Sequence, residues 1–259
     1  MGIFRLLCRL LLDYLRIRQM SKAASRGQGA AYAEAGMMKA YMKGDYWTAA
    51  MYTIDPFFRG TMLMQNGQLE QAEQLLQKAV NSQTEPRLAA VANSELGRAL
   101  LEQQQYDRAL QCLHTARILW QERGSTDRMI AEIWLRRGGN SAEALRSARS
   151  AVEKERASEG LSPDCKNTNL CEELATLAWA VAVESRDAEE VGRLLPEAAA
   201  LGGANPVTST AQMHLHFGHA YAALGDVAKS SHHYEQAARV DPNGLMGRAA
   251  LAMAVGARA

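Results

Sequence analysis

The sequence predicts an all-α chain of short antiparallel helices, each pair stacked on the next. Three observations carry this. Long Val/Ile/Thr alternations, the period-two mark of strands, do not occur. Helix-breaking turn positions recur at 44, 67, 104, 139, 186 and 225, separated by 23, 37, 35, 47 and 39 residues. The apolar content is 47% but aromatics are only 6%, with six prolines. That is enough apolar residue to bury a core.

Residues 1–28 form the first element. Arg5, Arg9, Asp13 and Arg16 fall at helical spacing, and Ile3, Phe4, Leu6, Leu7, Leu10, Leu11, Leu12, Tyr14, Leu15 and Ile17 cover the rest. Arg5, Arg9, Arg16, Arg18, Lys22 and Arg26 against Asp13 leave a net of +5 on a chain whose total is +1, so the remainder carries −4. Two roles suit such a helix. Phe4, Leu7 and Leu11 can enter a membrane boundary while Arg5 and Arg9 meet anionic headgroups, or the same face can pack on the first helix pair. A cleaved signal or a membrane span is disfavoured, because charges interrupt every apolar run and each costs about 2.5–3.5 kcal/mol at mid-bilayer.

Residues 29–157 are expected to hold four helix-pair units. The turn Gly44-Asp45 opens a shortened second helix that ends at Asp55-Pro56. Gly60, Leu63, Gly67, Leu69, Ala72, Leu76 and Ala79 mark the second unit. Leu96-Gly97, Leu100, Tyr106, Ala109, Leu113 and Ala116 mark the third, and Leu135, Gly139, Ala144, Ala148 and Ala151 the fourth. The long fourth spacing implies an inserted loop at 158–169, where SEGLSPDCKNTN is rich in Gly, Pro, Ser and Asn. Residues 170–243 supply two further units. The fifth is degenerate, with Trp179 where a small residue is expected. Residues 244–259 read as a capping helix. It is unusually apolar, with only Arg248 and Arg258 charged, which implies contact with a second copy, another subunit or a membrane.

The sixth unit is the best formed. Phe217-Gly218, Tyr221, Gly225-Asp226, Ser230, Tyr234, Ala237 and Pro242 follow one another at regular offsets. Gly218 and Ser230 let two helices approach, Tyr221 and Tyr234 fill the space between units, Gly225 and Asp226 turn and cap, and Pro242 stops the second helix. This pattern resembles the tetratricopeptide repeat family, and the upstream copies fit it more loosely. The resemblance implies a right-handed α-solenoid of antiparallel helix pairs that acts as a non-catalytic protein-interaction scaffold or adaptor. It also implies a concave groove. Carried onto this chain, the family's lining positions are Phe57, Thr61 and Met64, then Ser94 and Arg98, then Met129, Ile133 and Arg136, then Thr176, and finally His219. The expected ligand is a peptide or amphipathic helix of a partner protein. The Lys/Asn set with which some members clamp a terminal carboxylate in that groove is missing here. Seven of the twelve methionines lie between Met20 and Met64, suited either to an adaptable apolar surface or to filling gaps in imperfect repeats. A second reading is a structural subunit assembled permanently in a larger, membrane-bound complex.

Chemistry is sparse. No Gly-rich phosphate loop, nucleophile elbow or H-E-x-x-H occurs, so no catalytic residue and no cofactor are expected. Five of six histidines lie in the sixth unit, but His214 and His216 point to different faces and His232-His233 sit on the second helix, so no metal site is expected. No basic stripe interleaved with aromatics is present, which excludes general nucleic-acid binding. Cys112 reads as a small hydrophobe. Cys165 in the expected loop and Cys171 just after it are near enough to bridge, but free thiols in a reducing, cytoplasmic setting are favoured, with the N-terminal helix as the point of peripheral membrane contact.

Overall fold

The computed structural model describes residues 29–159, 162–202 and 206–256. Among them are thirteen α-helices and no strand. They pair as α1 (Gly29–Tyr41) with α2 (Tyr46–Met51), α3 (Pro56–Gln65) with α4 (Leu69–Ser82), and α5 (Pro86–Glu102) with α6 (Tyr106–Leu119). Next come α7 (Gly124–Arg137) with α8 (Ser141–Ala157), α9 (Pro163–Glu184) with α10 (Ala188–Leu201), and α11 (Val207–Leu224) with α12 (Val227–Val240). Helix α13 (Leu245–Gly256) covers the last pair. Each pair packs on the next, so the chain is a helical solenoid. Three successive buried clusters form its core ribbon, the first running from Met37 to Ile133, the second from Ala131 to Ala220 and the third from Ala211 to Ala254.

The turns explain the helix limits. All six positions read from the sequence as turns have positive φ: Gly44 (70°), Gly67 (83°), Gln104 (59°), Gly139 (85°), Arg186 (54°) and Gly225 (83°). Side-chain caps start the helices that follow: Asp45 for α2, Asn140 for α8, Asp187 for α10 and Asp226 for α12. Pro at the first turn, preceded by an acid or Ser as cap, opens α3 (Asp55-Pro56), α5 (Glu85-Pro86) and α9 (Ser162-Pro163). This last start corrects the loop expected at 158–169. Most of that stretch is the first two turns of α9, because Ser-Pro is a helix-starting pair as much as a loop pair. Cys165 and Cys171 therefore lie on one helix, the first exposed and the second buried.

Within a pair, one contact repeats. A Cβ on Gly60 would stand 2.8 Å from Leu76, and one on Gly97 would stand 2.9 Å from Leu113; Gly36 against Tyr52 and Gly218 against Tyr234 are closer still. In each case the large residue lies sixteen positions after the glycine. The missing side chain lets the two helices approach, and the large one fills the notch.

The solenoid curls until its ends meet. Tyr46 Oη donates to Asp241 Oδ2 at 2.9 Å, 195 residues away and buried. Tyr41 Oη and Thr208 Oγ1 are 3.0 Å apart, Arg98 Nη2 donates to Gln212 Oε1 at 3.3 Å, and α13 touches α3. The Gly44 turn of the first pair thus sits against the Asp-Pro turn that ends the sixth. Tyr46 and Asp241 are each 1% exposed, so Tyr46→Phe, which strips a donor from a buried carboxylate, is expected to cost about 1–3 kcal/mol. Asp241→Asn is expected to cost a similar amount, and the double variant clearly less than the sum. Additive losses in urea denaturation would show that the two side chains do not interact.

Candidate functional site: the concave face

The first helices of the pairs, α3, α5, α7, α9 and α11, turn one face inward. The ten expected lining residues divide there. Met64, Ser94, Ile133 and Thr176 are 0% exposed and Met129 is 2% exposed. Phe57, Thr61, Arg98, Arg136 and His219 are half-buried. Met64, Met129 and Ile133 belong to the first core cluster. Ser94 Oγ pairs with Thr126 Oγ1 of the next unit at 3.3 Å, and Thr61 Oγ1 donates to the carbonyl of Phe57 at 3.0 Å.

The buried three at 129, 133 and 176 reflect a slipped register. In the fourth unit one extra residue precedes the turn, as the two positive-φ glycines Gly138 and Gly139 display, and the cross-unit contacts of the fifth give the same offset. Positions counted back from the turn then fall one residue late on the first helix. The pairing partners give the true register. Arg136 is ion-paired at 3.0 Å with Glu102, 34 residues earlier and at the equivalent position of the unit before. Thr176 Oγ1 lies 3.1 Å from His216 Nδ1, 40 residues on, and Trp179 stacks at 4.4 Å on His219 at the same spacing. The inward positions of α7 and α9 are therefore Arg128, Glu132, Glu172 and Trp179, none of which counting from the turns selects. Ala178, fully buried, takes the small-residue place assigned to Trp179.

These residues fill the concave side with their own charges. Glu132, 2% exposed, lies at the centre. Its carboxylate is 2.5 Å from Arg136, 3.4 Å from Arg128 and 3.6 Å from His216 Nε2. Arg128 reaches Glu172 at 3.3 Å. Burial alone would raise the Glu132 pKa, but Arg136, His216 and Arg128 outweigh it and hold the carboxyl well below the usual range. Burial likewise opposes the charge on Arg98 and Arg136, and the surrounding glutamates reverse that and keep both protonated. His219, pressed between Trp179 and Tyr234, is pushed down to about 3, mainly by burial and then by His216 and Arg136, and so stays neutral.

The other histidines form a separate group. His214 and His233 stack with Nδ1 atoms 3.2 Å apart, and Tyr221 stacks on His233 at 5.5 Å. Burial first, then His214 and His232, push His233 down to about 4. The two groups lie on different sides of α11, as the sequence spacing implies, and among the described residues no three His, Cys, Asp or Glu are grouped to hold a metal ion.

Two family models match the chain. One, described as a tetratricopeptide repeat-like domain, matches residues 15–123, and the other, described as a tetratricopeptide repeat, matches residues 211–243. The chain is a tetratricopeptide repeat protein. Among curated proteins, no sequence matches it. Among solved structures, this tetratricopeptide repeat protein is similar to BtubC from P. vanneervenii, at 16% identity and TM-score 0.49, over 82% of this chain and 89% of that one. It is similar also to YrrB, a TPR protein with an unusual peptide-binding site, at 19% identity and TM-score 0.38, over 83% and 96%. A third is the pilF protein of Pseudomonas aeruginosa, at 17% identity and TM-score 0.40, over 93% and 97%. These three TM-scores lie below 0.5, and the solenoid assignment rests on the helix order and the family models. Tetratricopeptide repeats are generally non-catalytic protein-interaction modules, which supports a scaffold. Among the described residues no helix is long and apolar enough to cross a membrane. The membrane-contact residues expected at Phe4, Arg5, Leu7, Arg9 and Leu11 lie outside the described residues.

Proposed function

We propose that this chain is a scaffold that holds a partner protein, with no chemistry of its own. The observation that carries the reading is the pair of tetratricopeptide matches at the two ends of one continuous helical solenoid. The concave face supports rigidity better than capture, since its inward arginines are already matched by Glu102, Glu132 and Glu172. A partner helix entering there would have to part these pairs and the contacts between the first and last units. The net +5 of residues 1–28 favours an anionic surface as a second attachment point.

A structural-subunit reading has its own observation. Leu251, Met253 and Val255 on α13 are 56%, 48% and 64% exposed, an apolar cap without cover among the described residues. Affinity capture with mass spectrometry, from cytosol and from membranes, with and without residues 1–22, tests both readings. The scaffold predicts a defined partner retained by the intact fold. A monodisperse, stable monomer rules out the permanent subunit, and the absence of any fold-dependent partner overturns the scaffold.

A further inference from the structure

We infer that residues 3–17 of this chain dock as an amphipathic helix on the rim of the solenoid where α3, α5 and α7 begin, leucines inward and arginines toward the acids of that rim. The inference goes beyond the scaffold reading and does not depend on it, since the occupant is the chain's own N-terminal segment and not the partner. The surface is an exposed apolar strip. Phe57, Phe58, Leu88 and Val91 line a cavity of about 230 Å³, and the two phenylalanine rings meet edge to face at 5.3 Å. Phe58 and Leu88 are 45% and 54% exposed, and Ile54, just before α3, is 92% exposed. Large apolar side chains grouped at an open rim cost free energy until something covers them. Val91 also lines a second cavity, of about 520 Å³, which continues the strip past Trp120 to the end of α8.

Position, pattern and charge name the occupant. The described residues start at Gly29, the first of α1. Gly36 packs against Tyr52, two residues before Ile54, so residues 1–28 join the fold about 10 Å from the near end of the strip. A helix of residues 3–17 is about 22 Å long, and residues 18–28 span up to about 36 Å, enough to lay that helix over both cavities. Its leucines form a face wider than its polar one, which suits a broad strip rather than a narrow slot. Across the two cavities four acids, Asp55, Glu122, Glu155 and Glu159, stand beside two arginines. Both arginines are engaged, Arg87 and Arg123 each 5.3 Å from the ring of Trp120, while the exposed Glu122 and Glu159 pair with no cation among the described residues. An acidic excess fits a segment of net +5. The uncovered apolar residues of α13 lack this selection, since the cavity beside Leu251 holds one acid and one base, Glu235 and Arg239. Docking on the rim buries the face that Phe4, Leu7 and Leu11 would turn to a membrane, so the two contacts exclude each other.

Hydrogen–deuterium exchange with mass spectrometry on the full chain tests this, at several protein concentrations and without lipid. Amides of residues 5–17 are expected to exchange about tenfold more slowly in the wild type than in Leu88→Asp or in the double variant Glu122→Lys/Glu159→Lys. All three substituted side chains are exposed, and unchanged exchange in α7 and α9 checks that the variants keep the fold. Flotation with vesicles of phosphatidylcholine and phosphatidylserine should then recover about fivefold more of each variant than of the wild type, because the released helix is free to meet lipid. Unprotected residues 5–17 in the wild type would overturn the proposal. So would protection that survives Leu88→Asp, which places the helix elsewhere, or protection that grows with concentration, which makes the occupant a second copy. Equal recovery of wild type and variants on vesicles would overturn it as well.

Discussion

Replacing Glu132 by alanine is expected to destabilise the fold by about 3–5 kcal/mol, the usual result of removing one partner from a buried ion pair. The size follows from what remains. Arg128 would keep only Glu172 and Arg136 only Glu102, both in an environment where Glu132 itself is 2% exposed. His216, 0% exposed, would lose its carboxylate at 3.6 Å. Glu132→Gln, which keeps shape and an acceptor but not charge, should fall between wild type and Glu132→Ala. Replacing Arg128, Glu132 and Arg136 together by well-packed apolar residues should cost far less than the single change, because no uncompensated charge is left. Urea denaturation measures all three, and a shifted midpoint at constant slope marks a change in stability alone. A loss below about 1 kcal/mol for Glu132→Ala would mean that water reaches the cluster and that the concave face is open.

The same cluster sets the acid side of the stability profile. Glu132 has its pKa depressed in the folded state, so its contribution is present above the ordinary carboxylate range and is lost as pH falls. His219 is neutral when folded, with a pKa near 3. Unfolded, it would take up a proton below about 6.5, so it too favours unfolding as pH falls.

Local features of this architecture were legible in the sequence, and long-range ones were not. The turns at Gly44, Gly67, Gln104, Gly139, Arg186 and Gly225 were readable because a turn between helices recurs at a fixed place, and each proves to hold a left-handed residue. Gly218 was readable as a close-approach point for the same local reason, and Gly97 repeats it in the third unit. The meeting of Tyr46 with Asp241 was not, since no periodicity links residues that far apart. The inward identities of Arg128, Glu132 and Trp179 were hidden by a single extra turn residue, which moves every counted position around the helix by about 100°. That one-residue slip exchanged a charged lining for Met129 and Ile133, which are core. The start of α9 was hidden by ambiguity of residue type, because Ser and Pro mark both a loop and a capped helix.

Glu173 works against the acid-labile groups, and its replacement is expected to change the alkaline side. It is 0% exposed, and neither carboxylate oxygen has a hydrogen-bond partner among the described residues. Gly124 leaves just enough room for it, since a Cβ there would stand 2.7 Å from Oε1. Burial, then the like charges of Glu155, Glu172 and Asp127, push its pKa up to about 9, and Arg128 offsets only part of this. At neutral pH the folded chain therefore carries Glu173 protonated, whereas the unfolded chain, with a pKa of about 4.3, carries it ionised. Between those two values the folded state binds the extra proton, so stability falls as pH rises, by at most about 1.4 kcal/mol per pH unit. Glu173→Gln removes the titration. The difference in stability between variant and wild type should be smallest near pH 4 and should move steadily in the variant's favour up to pH 8–9. Urea midpoints across that range read the difference directly, and any constant offset reports the packing of the amide. Parallel profiles for the two proteins would mean that Glu173 is ionised in the fold and has found a cation or water to hold it.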